Sequence, residues 1–338
     1  MRIPALLIAA SLMFAGAGCA TGVSTEGAGS AGIPVLQKVP GLEQTTINAA
    51  ISPVVDSAGF FIALRDGLFS QEGLTVRYSP AHGDTVIGDM VKGTYDVTAT
   101  NYVSYIQAAE SGQAKLRVIA EASLLQPGNR VIMAMPGSGI RSLGDLRNHV
   151  LGVNDDPNIG FLLAASVLAE NGIQISGGSA ARAVRFPTFS MPYPDAAPAL
   201  VAKKVAAAVM SEPFVTQATE SYGAVVVADL DAGATQEFPM EGYAVTKAWA
   251  VANPNTLRAF QIALEAGQRI ADTDRAAVEA AYVALPVDQG HIDQLTAATM
   301  ALDSYPLSID AVRLQRVADV MEQFGFLKQH FNIQRLLT

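Results

Sequence analysis

From Thr46 onward, short apolar runs alternate with longer stretches in which apolar residues recur every three or four positions. The short runs predict strands and the longer ones amphipathic helices. Strands are expected at Ile47–Ile51, Leu74–Tyr78, Asp96–Ala99, Leu116–Ala120, Val131–Met135, Val150–Val153, Val184–Phe186, Ala206–Met210 and Val225–Ala228. Helices are expected at Ala58–Phe69, Thr85–Val91 and Tyr102–Glu110, and from Pro157 to Glu170, where Asn171-Gly172 provides the stop. Ser142 with Asp145 three residues later predicts a short capped helix. Strands alternating with helices predict parallel α/β sheets. From Asn253 the pattern is helical only, with helices expected from Asn253 to Ala271 and at Asp274–Leu285, Asp288–Ala301 and Ser308–Phe324.

The 338 residues suffice for two domains with buried cores. Beyond the first twenty-odd residues no apolar run is long enough to span a bilayer. The uncharged segment Pro157–Ala169 has only thirteen residues and reads as a core helix. A net charge of −9 argues against a nucleic-acid surface and against a polybasic membrane patch.

Residues 1–18, MRIPALLIAASLMFAGAG, place Arg2 before an apolar run closed by small residues, as a secretory signal does. Cys19, the only cysteine, follows at the position where bacterial lipoproteins carry their lipid, although Gly16 stands where an aliphatic residue is usual. The reading is a lipid anchor on Cys19, and an ordinary cleaved signal is the alternative. Residues 19–45, rich in Gly, Ala, Ser and Thr after the cysteine, read as a flexible tether. One cysteine makes no internal disulfide and no cysteine-based metal site.

Four segments occur in a recognisable order: Gly59–Leu74 (GFFIALRDGLFSQEGL), Met90–Val97 (MVKGTYDV), Gly139–Leu146 (GIRSLGDL) and Ala199–Phe214 (ALVAKKVAAAVMSEPF). With this order and spacing the chain resembles the solute-binding proteins of ABC importers for nitrate, sulfonates, taurine and thiamine-pyrimidine precursors, a group related to yeast thiamine-pyrimidine synthase. Asn148-His149 and Ala206 depart from that family's pattern. The resemblance implies a two-lobed α/β fold of the periplasmic-binding-protein type (type II), with a ligand cleft between lobes and a helical C-terminal segment. One lobe is expected at 46–132 plus 236–338 and the other at 133–235. It also implies a small-molecule solute, ABC permease and ATPase partners, a monomer, and no cofactor.

The site reading rests on physics as well. In open α/β sheets ligands bind outside the carboxyl ends of strands, near helix N-termini. The loops that follow the expected strands carry Ser52, Val54 and Asp56; His82 and Asp84; Thr100, Asn101 and Tyr102; Asn154, Asn158, Ile159 and Gly160; and Ser211 and Glu212. Phe189 and Met191, with Tyr193, offer an aromatic wall. These loops hold Asp56, Asp84, Asp155, Asp156 and Glu212 but no Lys or Arg, which favours a neutral or cationic guest such as an aminopyrimidine over an oxyanion. Each acid has a competing role as a helix cap, above all Asp155 and Asp156 before Pro157.

Two functions lead, beside a third possibility, a sensory or adhesive lipoprotein that keeps the cleft without a permease. One is an extracytoplasmic binding lipoprotein that captures a small polar solute, aminopyrimidine-like or sulfonate- and nitrate-like, and performs no chemistry. The other is an enzyme on the same fold using Asp84 and Glu212 as acid and base. The four histidines, at 82, 149, 291 and 330, have no metal-ligand spacing, and the cysteine-rich iron motif of the yeast enzyme is absent from the sequence.

Overall fold

The strand-forming runs pair as two separate sheets in the computed structural model, which describes residues 33–81, 85–147, 149–154, 158–173 and 193–338. The strands are β1 (Thr46–Ile51), β2 (Thr75–Pro80), β3 (Val97–Asn101), β4 (Leu116–Glu121), β5 (Arg130–Ala134), β6 (Leu151–Gly152), β7 (Ala207–Ser211), β8 (Val225–Asp229) and β9 (Glu241–Thr246). The first sheet has the order β2-β1-β3-β9-β4 and the second β6-β7-β5-β8. Both are mixed rather than all-parallel. β9 runs against β3 and β4, and β5 runs against β7 and β8. The cause is the pair of crossings between sheets. A chain leaving one sheet at its carboxyl edge enters the other at the carboxyl edge too, so it runs against the strands that end there.

β9 is a strand that the sequence pattern conceals. Its first residues, Glu241 and Gly242, break the apolar run. The glycine is dictated by packing: a Cβ there would lie 2.5 Å from Tyr102 Oη. β5 begins one residue earlier than expected, at Arg130, and all of it pairs in the second sheet. A division by sheets therefore falls before Arg130 rather than after residue 132.

The helices are α1 (Ala58–Arg65), α2 (Leu68–Gln71), α3 (Thr85–Val91), α4 (Tyr102–Glu110), α5 (Ile159–Glu170), α6 (Tyr193–Val201), α7 (Phe214–Tyr222), α8 (Lys247–Ala252), α9 (Pro254–Thr273), α10 (Arg275–Val283), α11 (Gln294–Thr299), α12 (Ala311–Gln323) and α13 (Gln334–Leu337). The single helix expected over 58–69 is two, because Gly67 adopts φ +70° between them. The helix expected over 288–301 shrinks to α11, preceded by a 3₁₀ turn and by Gly290 at φ +103°. The strand expected at Val184–Phe186 lies outside the described residues.

α1 and α9 cross closely over the first sheet. A Cβ on Gly267 would meet the Gly59 carbonyl oxygen at 2.1 Å, so only glycine allows the approach. α5 is buried along Ile159–Leu168, as a helix apolar on all sides must be. The segment expected to be tether is tied to the body from Pro34, whose carbonyl accepts from Gln71 Nε2. Leu36 N–H donates to Gln71 and Val39 N–H to Glu72. Glu43 accepts the N–H groups of Asn255 and Thr256 at the start of α9. Among the described residues no helix is long and apolar enough to cross a membrane.

Candidate functional site

The carboxyl edges of the two sheets face each other across a buried polar cluster. Asp56, in the 3₁₀ turn after β1, comes from the first sheet's edge. So does Glu241, which pairs with Asn101 at the end of β3. From the second sheet's edge come Arg130 and its register partner Ser211, at the end of β7. Arg130 Nη2 lies 3.5 Å from Asp56 Oδ2 and donates to Ser211 Oγ at 3.1 Å. Both members of the ion pair are essentially sealed from solvent, at 1% and 0% exposure. The Arg130 guanidinium also stands 5.8 Å from the centre of the Tyr193 ring.

Ser123, on the first crossing, donates to Asp56 Oδ1 at 2.9 Å and borders Asp303 from the segment after α11. It has one proton for two carboxyls. Neither Asp303 oxygen meets a donor in hydrogen-bonding geometry, and Glu241 Oε2 and Arg130 Nε are likewise buried without a partner. Three acids thus surround one base. Burial, then the charge of Asp56, pushes both Glu241 and Asp303 well above the usual carboxylate range, against the pull of Arg130. Burial opposes the charge on Arg130, but Tyr193, Asp56, Glu241 and Asp303 outweigh it and hold its proton more firmly.

The expected site residues divide into three groups. Val54, Asp56, Ser211 and Glu212 come together: Val55 N–H reaches the Glu212 carbonyl at 3.4 Å. The Val54 carbonyl accepts from Tyr282 Oη and the Val55 carbonyl from Tyr305 Oη. Ser52 is half-buried just past β1. A second group caps helices. Asn101 Oδ1 accepts Ser104 N–H at the start of α4, and Asn158 Oδ1 accepts Phe161 N–H at the start of α5. The cap of α5 is therefore Asn158, where Asp155 or Asp156 was expected. Ile159 and Gly160 are buried in its first turn, and Asn154, after β6, is half-buried. Thr100 N–H donates to Tyr105 Oη, and the Tyr102 hydroxyl is buried without a partner. His82, Asp84, Asp155, Asp156, Phe189, Met191 and Cys19 lie outside the described residues.

Glu212 is a strut. Its carboxylate accepts Thr216 N–H and Thr216 Oγ1, and also Ala301 N–H from the segment after α11. Burial raises its pKa although these donors oppose the rise. With its oxygens occupied, it is poorly placed to act as an acid or base.

The loop-by-loop reading missed Arg130, Glu241 and Asp303. It held that the loops supply no arginine, but the site receives one from the first residue of β5. The available signal was an arginine opening the otherwise apolar run Arg130–Ala134. Glu241 was hidden with β9. Asp303 has no local signal, because only the fold brings the segment after α11 to this edge.

No protein of curated function matches the chain in sequence. The alkanesulfonate-binding protein SsuA from Xanthomonas axonopodis pv. citri, bound to MOPS, superposes with a TM-score of 0.69 at 16% identity, over 88% of this chain and 99% of that one. The ligand-binding component of an ABC-type import system from Staphylococcus aureus gives 0.69 at 14%, over 87% and 97%. The periplasmic nitrate-binding protein NrtA from Synechocystis PCC 6803 gives 0.66 at 12%, over 85% and 83%. At these identities the likeness is one of fold: two α/β sheets of the periplasmic-binding-protein type with a helical C-terminal segment. The sequence family described as NMT1/THI5 like matches residues 54–274, more than half of the chain, and the chain belongs to that family.

Proposed function

We propose that the protein is an extracytoplasmic solute-binding lipoprotein. It captures one small polar organic solute between two lobes and delivers it to an ABC permease and its ATPase, without chemistry. The observation that carries this reading is the confrontation of the two carboxyl edges through Asp56, Arg130, Ser211 and Glu241. Family membership and the sulfonate-, nitrate- and import-related names of its fold relatives support it. The lobes are the first sheet with the C-terminal helices and the second sheet with α5 to α7. A lipid on Cys19 holds the body at the membrane, and the protein works as a monomer. The excess of acids over bases favours an aminopyrimidine-like solute over a sulfonate- or nitrate-like one.

A thermal-shift screen over nitrate, taurine, alkanesulfonates, aminopyrimidines and polyamines tests the reading. A true solute at a hundred times its dissociation constant adds about 2.7 kcal/mol of apparent stability. Turnover of a substrate, with no member of the panel bound, would replace the reading with an enzyme.

A further inference from the structure

We propose that Glu241 and Asp303 together receive a cationic N–H group of the solute, that Arg130 Nε receives an acceptor atom of the same molecule, and that capture releases a proton. This inference rests on the binding-protein reading and specifies its guest.

The argument starts from unmet hydrogen-bonding capacity. Arg130 Nε, Glu241 Oε2 and both Asp303 oxygens are buried without partners, and their residues are 1%, 6% and 7% exposed. Leaving such groups unpaired is costly, so a site that keeps them is built for something that pairs them. The unmet set has a sense of direction. The acids offer acceptors once ionised, and the arginine offers a donor. Asp56 already has Arg130 and Ser123, and Ser211 already has Arg130. The two acids left over are the ones without a cation.

Their surroundings fix the proton account. The titratable groups around them are Asp56 before α1, Arg130 on β5, Tyr102 and Tyr105 on α4, Tyr243 on β9 and Tyr305 after α11. Arg130 is the one cation in that set, and it is shared. Without a guest the acids are best neutral. A guest cation repays the ionisation of one of them, and the displaced proton leaves to solvent.

The test uses the full chain and defined probes: glycinamide and β-alaninamide as N–H cations that also carry an acceptor atom, choline as a cation without N–H, and nitrate and methanesulfonate as anions. The expected result is a raised melting temperature with at least one N–H cation and none with choline or the anions. Calorimetry with that probe, in buffers of differing ionisation enthalpy, should show proton release on binding. Affinity should rise about tenfold per pH unit for each proton released, below the pKa of the group concerned. Glu241→Gln and Asp303→Asn, checked for fold by circular dichroism, should each weaken binding by about thirtyfold or more and flatten the pH dependence. The wild-type buffer comparison needs no variant. Shifts with the anions alone overturn the inference and leave the binding-protein reading standing. So does binding without proton release, or a choline shift equal to that of the amines. No shift with any probe overturns it and counts against that reading too.

Discussion

Asp56 and Arg130 form a buried ion pair at 3.5 Å that joins the carboxyl edges of two different sheets. Removing one partner strands the other charge away from water. Arg130→Met should therefore lower unfolding stability by about 3–5 kcal/mol in urea titration. The double variant with Asp56→Asn should recover part of that loss. Strict additivity of the two losses would mean the pair is not coupled.

Glu241 and Asp303 make the unliganded protein sensitive to pH. A carboxyl whose folded pKa lies above its unfolded value binds its proton more tightly in the folded state. Its contribution is full below the ordinary carboxylate range and is lost as the pH rises through the raised value. The melting temperature should fall as pH rises above about 4.5, and Glu241→Gln or Asp303→Asn should flatten that fall. Glu43 acts in the opposite sense at lower pH. Although desolvation pulls it upward, the N–H groups of Thr256 and Asn255 hold it down at about 2, so its contribution is lost as pH falls below 4.5. A melting temperature that rises steadily from pH 5 to 8 would contradict the assignment.

Glu212→Ala should destabilise without weakening solute binding. It removes acceptors for Thr216 and Ala301, and stranding those donors costs about 1–3 kcal/mol. A loss of affinity larger than the loss of stability would make Glu212 a ligand contact instead.

Gly267→Ala tests the frame beneath the site. The added methyl would sit 2.1 Å from the Gly59 carbonyl oxygen and 2.9 Å from Ala63 Cβ, so α1 and α9 must separate. Chemical denaturation should show a loss of about 1–3 kcal/mol with solute preference unchanged.

The sequence shows much of this frame and less of its chemistry. α3 and α4 lie where the apolar periodicity puts them, because their apolar stripes are local, and Asn101 caps α4. The Ser142–Asp145 capping box also forms, on a 3₁₀ turn. β9 escapes the pattern because Gly242 answers to Tyr102 from α4, a partner 140 positions away in the chain. Asn101 and Asn158 read equally well as caps or contacts until the geometry fills their side chains with backbone N–H groups. Arg130, Glu241 and Asp303 are far apart in sequence, and only the two crossings and the returning C-terminal helices bring them to one edge. A loop-by-loop reading sees the acids that follow strands but not the residues that open the strands beside them.

Native mass spectrometry of the full chain after incubation with the solute panel tests the central claim most directly. The account predicts one solute held per chain and released on denaturation with its mass unchanged. A chain that retains none of the panel, or that returns a solute of altered mass, would contradict it.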